Sequence, residues 1–195
     1  GEGSTEISDE LTLATTGASG TSYTDWSDKK VTSSAVYAGN SAGGNDAIQL
    51  RSKNSNSGIV STTSGGKLTK VIVEWNSNTS DRTLDIYGKT TAYSAASDLY
   101  DNSGKGTKLG SMASGTDTEL AITGDYTFVG VRSNNGALWI DKITFVWSGK
   151  GASYKNYTTS CDGTTPTPID NVDAKPAAVK AIRNGRIVII RDGAV

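Results

Sequence analysis

From residue 47 onward, apolar and polar side chains alternate in short runs separated by polar turns. This period-2 pattern marks strands with one buried face. In Lys67–Trp75 (KLTKVIVEW), Val71, Val73 and Trp75 share one face, while Ile72 and Glu74 share the other. Thr83–Tyr87 sets Leu84 and Ile86 against Asp85 and Tyr87, and Glu119–Thr123, Tyr126–Arg132, Gly136–Trp147 and the shorter Ala47–Leu50 continue the pattern. In the run ending at Trp147, Leu138 and Ile140 have one parity and Ile143, Phe145 and Trp147 the other. A β-bulge near Asp141-Lys142 would turn all five toward the core. Asn134-Asn135-Gly136 predicts a tight turn between two strands, because Asn and Gly accept positive φ. Tyr93–Tyr100 is the one plausible helical patch, with room for two turns at most, and a loop fits it equally well. About eight to ten short strands without βαβ spacing predict an all-β fold, an antiparallel β-sandwich of jelly-roll (galactose-binding-like) or immunoglobulin-like type.

Composition divides the chain. All 24 serines and 25 threonines lie at or before Thr167, and Thr164–Pro168 reads as a proline-spaced linker. The reading is therefore a β-sandwich domain over 1–163, a linker over 164–169 and a tail over 170–195. The tail carries five basic and three acidic residues, so the body is net negative. In it, Ala181–Arg183, Asn184-Gly185 and Arg186–Arg191 predict a β-hairpin, with an incomplete third element at Asp192-Gly193. Ile187–Ile190 is apolar on both faces, and two strands of this kind need a partner.

Charge and residue inventory then limit the chemistry. A net charge of −1 without a basic stripe argues against nucleic-acid binding, where phosphate neutralisation supplies most of the affinity. No apolar run approaches the roughly 20 residues that cross a bilayer. Gly1 reads like a mature start from which an export signal has been removed, and the Ser, Thr, Asn and Gly content leans toward a secreted or surface protein. With no histidine and one cysteine, Cys161, the chain cannot build imidazole-dependent triads, histidine-ligated or multi-cysteine zinc, or an internal disulfide. The carboxylate pairs Asp25/Asp28 and Asp117/Glu119 are the residual candidates for glycosidase chemistry, with nothing to set either pair across a cleft. Asp101-Asn102-Ser103-Gly104 loosely suggests a calcium loop but lacks regular oxygen spacing. No cofactor is expected, and a structural calcium ion elsewhere stays an open alternative.

Three stretches of the body carry a resemblance. Tyr87–Gly110 (YGKTTAYSAASDLYDNSGKGTKLG), Tyr126–Ser133 (YTFVGVRS) and Gly136–Trp147 (GALWIDKITFVW) together resemble a β-sandwich module of exported Bacteroidetes proteins. In those proteins the module occurs alone or beside hydrolase and adhesin domains. Tyr157–Gly163 is similar to the segment that closes such modules, and Ala181–Val195 to the start of a C-terminal sorting tail read by an outer-membrane secretion system. The resemblance implies an extracytoplasmic β-sandwich and contact with secretion machinery through the tail. It carries no catalytic residues across.

Sugar-binding sandwiches stack aromatic faces on pyranose rings and flank them with amide, carboxylate or guanidinium groups. Four Trp and eight Tyr against two Phe give an aromatic set biased toward polar handles. Trp26, in the polar stretch Thr21–Lys30 beside Tyr23, is either a surface platform or a plug over one end of the sandwich. Trp139 either points outward beside the 134–136 turn, with Arg132 across the hairpin, or joins the core. Trp75 and Trp147 follow the apolar parity and are expected in the core. Tyr37, Tyr93 and Tyr100 are expected to anchor loops. The candidate ligand-binding set is Tyr23, Trp26, Arg132, Asn134 and Trp139. It serves a non-catalytic module that binds a glycan or a host or matrix ligand, the alternative being a structural or adhesion subunit working by protein–protein contact.

Overall fold

Alternating runs of this kind can bury their apolar parity only against a second sheet, and the computed structural model shows that packing. It describes residues 5–149, 179–183 and 186–190, which belong to two units, one within 1–154 and one within 155–195. The first unit contains β1 (Glu6–Thr12), β2 (Thr24–Lys29), β3 (Val36–Ser41), β4 (Ile48–Arg51), β5 (Gly58–Thr63), β6 (Lys67–Trp75), β7 (Thr83–Lys89), β8 (Thr107–Ala113), β9 (Glu119–Ala121), β10 (Phe128–Ser133) and β11 (Ala137–Ser148). One helical turn, α1 (Leu13–Thr16), follows β1 and is closed by Gly17 in the left-handed conformation.

All pairings are antiparallel. One sheet runs β1-β11-β6-β9, with β4 beside the first residues of β11; the other runs β2-β3-β5-β10-β7-β8. Only the β2–β3 and β7–β8 connections stay within a sheet, and every other one crosses between sheets, as in a jelly roll. Leu11, Ile48, Leu50, Val71, Val73, Leu138, Ile140, Ile143, Phe145 and Trp147 of the first sheet pack against Tyr37, Ile59, Leu84, Ile86, Met112, Val129 and Val131 of the second. Leu138, Ile140, Ile143, Phe145 and Trp147 are all fully buried, and the register shift that permits it falls between Ile140 and Lys142, where the parity change requires it.

Three findings revise the sequence reading. The Asn134-Asn135-Gly136 turn exists, with Gly136 at φ 68°, but it joins strands of opposite sheets. Arg132 and Trp139 therefore do not face each other across a hairpin. Asp85 and Tyr87, set opposite the apolar face of β7, are both buried, Asp85 against Lys108, Ser111 and Asn134 and Tyr87 beneath the segment that leaves β7. There Tyr93 and Leu99 cover Ala38, Val60 and Tyr87 in a second small core, and the expected helical patch is a short 3₁₀ turn over Ala96–Tyr100. Strands β1 and β2 were hidden by their acidic residues, and β3, β5 and β8 by their Gly, Ser and Thr content.

The second unit contains β12 (Val179–Arg183) and β13 (Arg186–Ile190), paired antiparallel with Arg183 opposite Arg186, in the register the hairpin reading required. The 164–169 linker, Cys161 and the third tail element lie outside the described residues. Among those described, no helix is long and apolar enough to cross a membrane.

Candidate functional site

The Ile48-Gln49-Leu50-Arg51 sequence of β4 sends Ile48 and Leu50 into the core and leaves Gln49 and Arg51 on the opposite face. Directly across the β4–β11 ladder from Gln49 stands Trp139. Its outward parity follows from the bulge that turns the remaining apolar residues of β11 inward. The indole is half-buried, and its Nε1–H has no partner in the protein. Gln49 Oε1 is likewise buried and unpaired. Both atoms crowd the same point: a β-carbon built at Gly44 would collide with Gln49 Oε1 and lie 3.0 Å from Trp139 Nε1. Glycine is thus the residue that leaves this space open.

Tyr23 and Arg51 extend the cluster. The Arg51 guanidinium lies 3.7 Å from the centre of the Tyr23 ring, a cation–π contact worth about 0.5–2 kcal/mol. Gln49 sits beside the Tyr23 hydroxyl without completing a hydrogen bond, so that hydroxyl is buried and unpaired, as is Arg51 Nε. Burial raises the Tyr23 phenol above its usual range, with Arg51 partly opposing.

From Arg51 the contacts continue across the covered face of the second sheet. The Tyr100 hydroxyl donates to the Ser57 carbonyl at 2.8 Å and also lies 3.1 Å from the Arg51 carbonyl. The Tyr100 ring lies 4.6 Å below the Arg132 guanidinium, and Tyr87 flanks that same group at 5.4 Å. Arg132 Nη1 donates to the Leu99 carbonyl at 2.8 Å, which ties the 96–100 turn to β10, while its Nε is buried without a partner. Burial raises the Tyr100 phenol, and Arg132 and Arg51 pull against that rise. Asn134 ends the series, donating to Asp85 at 2.9 Å. Burial alone would raise the Asp85 carboxyl. Lys108 at 2.9 Å, Asn134 and Ser111 outweigh it and hold the group below the usual carboxylate range.

Four of the five expected residues (Tyr23, Arg132, Asn134 and Trp139) therefore lie on one line of contacts, and Trp26 does not. Its ring is in the core, its Nε1 donates to Ser41 Oγ at 2.9 Å, and a β-carbon on the facing Gly39 would collide with it. Trp26 is the plug and not the platform. The physical reason is that Gly39 opens a slot opposite Trp26 in the β2–β3 pairing. Trp26 still contributes to the wall of a groove of about 380 Å³, shared with Asp25, Ser27, Asn56 and the Ser94–Ser97 turn. Asn40, almost fully buried beside it, donates to Asp25 at 2.7 Å and leaves its side-chain amide oxygen unpaired, as Asn56 does. Sequence reasoning passed over Gln49 and Arg51, whose outward parity in IQLR was the available signal. Tyr100 was expected to anchor a loop and does so.

The other candidates are engaged locally. Asp25 holds Asn40, Asp28 accepts from the Ser27 hydroxyl, Asp117 accepts from the Ala113 amide, and Glu119 pairs with Lys70 at 3.2 Å. Asp101 closes its own turn, and the Ser103 hydroxyl and amide hold its carboxyl below the usual range. No group of three or more potential metal ligands converges among the described residues. Trp147 is fully buried, whereas Trp75 is half-buried against the core with its indole donating to the Asp117 carbonyl. No family model, curated protein or solved structure matches this chain.

Proposed function

We propose that this chain is an exported, non-catalytic module that binds a saccharide at the Tyr23–Gln49–Arg51–Trp139 cluster. The observation that carries this reading is the set of unpaired buried polar atoms around a half-buried indole: Tyr23 Oη, Gln49 Oε1, Arg51 Nε and Trp139 Nε1. A buried polar group without a partner costs about 1–3 kcal/mol, so a concentration of them is expected where a ligand completes the bonding. A sugar offers hydroxyls to such atoms and an apolar ring face to an aromatic side chain. Extracytoplasmic placement rests on the composition and on the resemblance of the body and the 181–195 segment to exported proteins, with the tail engaging secretion machinery.

Among the described residues Val31 is the exposed large hydrophobic side chain. Protein-docking surfaces usually present a larger apolar patch, which favours the glycan over an adhesive partner at the first unit. Protein–protein contact stays the second reading for the tail alone, because the β12–β13 pair includes the apolar run Ile187–Ile190, and two strands are marginal by themselves.

Screening on a glycan array followed by affinity electrophoresis tests the proposal. Trp139→Ala and Tyr23→Ala are each expected to weaken retention by about tenfold or more, equivalent to roughly 1.4 kcal/mol. Retention unchanged in both variants, or no retention of the wild-type chain on any glycan, would overturn it.

A further inference from the structure

We infer that the saccharide is an anionic one, its carboxylate or sulfate group being taken by Arg51, which lies over the Tyr23 ring, and Arg132, which lies over the Tyr100 ring. This deepens the saccharide reading and rests on it.

The first argument is the kind of atom left unpaired. Of the buried unpartnered atoms along this line, Arg51 Nε, Arg132 Nε and Trp139 Nε1 can only donate, Tyr23 Oη is a protonated hydroxyl, and Gln49 Oε1 alone is restricted to accepting. A site with such an excess of donors is completed by a ligand rich in acceptor oxygens.

The second argument is charge. Every ion pair among the described residues is made by a lysine: Lys67, Lys70, Lys108 or Lys142. Arg51 and Arg132 have no carboxylate partner among those residues. The nearest acid along the line of contacts, Asp85, is already committed to Lys108, Ser111 and Asn134. Tyr100 links the two residues, its hydroxyl 3.1 Å from the Arg51 carbonyl and its ring 4.6 Å from the Arg132 guanidinium. Two half-buried like charges are thus held in one cluster of tyrosine rings, with only those rings and one carbonyl bond against them. Tyrosine faces offset part of that repulsion and desolvation; an oxyanion would offset both, because a guanidinium presents parallel N–H groups that match a carboxylate or sulfate. Arg132 also ties down the 96–100 turn through Leu99, so Arg51, which makes no side-chain hydrogen bond to a described residue, is the cleaner probe.

The experiment compares each acidic polymer with its neutral counterpart: polygalacturonate with its methyl ester, and heparin with its desulfated, N-acetylated form. The expected result is at least about tenfold tighter binding of an acidic form, weakening as salt is raised. Arg51→Gln should abolish the preference while leaving the near-UV circular dichroism unchanged, and Arg51→Lys should restore only part of it. Equal binding of acidic and neutral forms, or an Arg51→Gln chain that retains the preference, would overturn the anionic assignment and leave the saccharide reading standing. A chain that binds neutral glycans but no acidic polymer would do the same. Binding to no saccharide would overturn both, and a single-stranded oligonucleotide bound as tightly as the acidic polymers would overturn the saccharide class.

Discussion

Asp9→Ala is expected to destabilise the first unit by about 3 kcal/mol or more, because it leaves several buried donors without an acceptor at about 1–3 kcal/mol each. Asp9 is fully buried, and its carboxylate accepts the Thr32 amide at 2.8 Å, the Ser33 amide at 2.7 Å, the Ser33 hydroxyl and the Tyr37 hydroxyl at 2.6 Å. Tyr37 in turn accepts the Trp147 indole N–H at 2.9 Å and stacks on Phe145 at 5.4 Å. Alanine would strand these donors where the hydroxyl of Tyr37 has no route to water. Burial, and then Asp9 itself, push the Tyr37 phenol up, so it stays a donor at any physiological pH. Asp9→Asn should fall between: it keeps one acceptor oxygen for the 32–33 amides but turns an NH2 group toward Tyr37, which already accepts from Trp147. Urea denaturation checks both variants. A loss under about 1 kcal/mol for Asp9→Ala would show that the network adds little beyond packing.

Leu99→Ala should cost about 3 kcal/mol and also weaken ligand binding. Leu-to-Ala changes in packed cores cost about 2–5 kcal/mol, more where the surroundings cannot close in. Leu99 is fully buried over Gly58 and Gly130, and a β-carbon built on either would collide with its methyl groups. Strand backbone with no side chains beneath has nothing to move into the vacated space. The same turn carries Tyr100, and its Leu99 carbonyl receives Arg132. Loosening it therefore loosens the ring beneath the Arg132 guanidinium. A urea midpoint close to wild type, or full binding in a measurably destabilised variant, would separate the small core from the site.

What was legible in the sequence follows from where side chains alone decide structure. The alternation in Lys67–Trp75 and Thr83–Tyr87, and the parity break before Ile143, report the buried face directly, and those strands and the bulge stand where they were read. β3 (Val36–Ser41) was invisible because its burial comes from Tyr-Ala-Gly-Asn-Ser, residues chosen for closeness to Trp26 and the covering turn and not for hydrophobicity. The second core was missed for a related reason: Tyr87 shares its parity with Asp85 and reads as a solvated face, and the excursion through Tyr93 and Leu99 buries it. At the site, local features placed Tyr23 and Trp139. Bringing them onto one line with Arg132 and Asn134 takes the β4–β11 ladder and the 96–100 turn, contacts between residues far apart in the chain. Trp26 stayed open between platform and plug because polar neighbours in sequence do not show the glycine opposite in space.

Trp139 is the indole that meets the ligand in the proposed site. The four indole N–H groups differ in a way solution NMR can read: Trp26 donates to Ser41, Trp75 to Asp117 and Trp147 to Tyr37, while Trp139 has no partner in the protein. In a 1H–15N titration with the acidic saccharide retained best, the Trp139 indole signal should move and the Trp26 and Trp147 signals should stay in place. A Trp139 signal that does not shift while the chain is shown to be saturated would contradict the account.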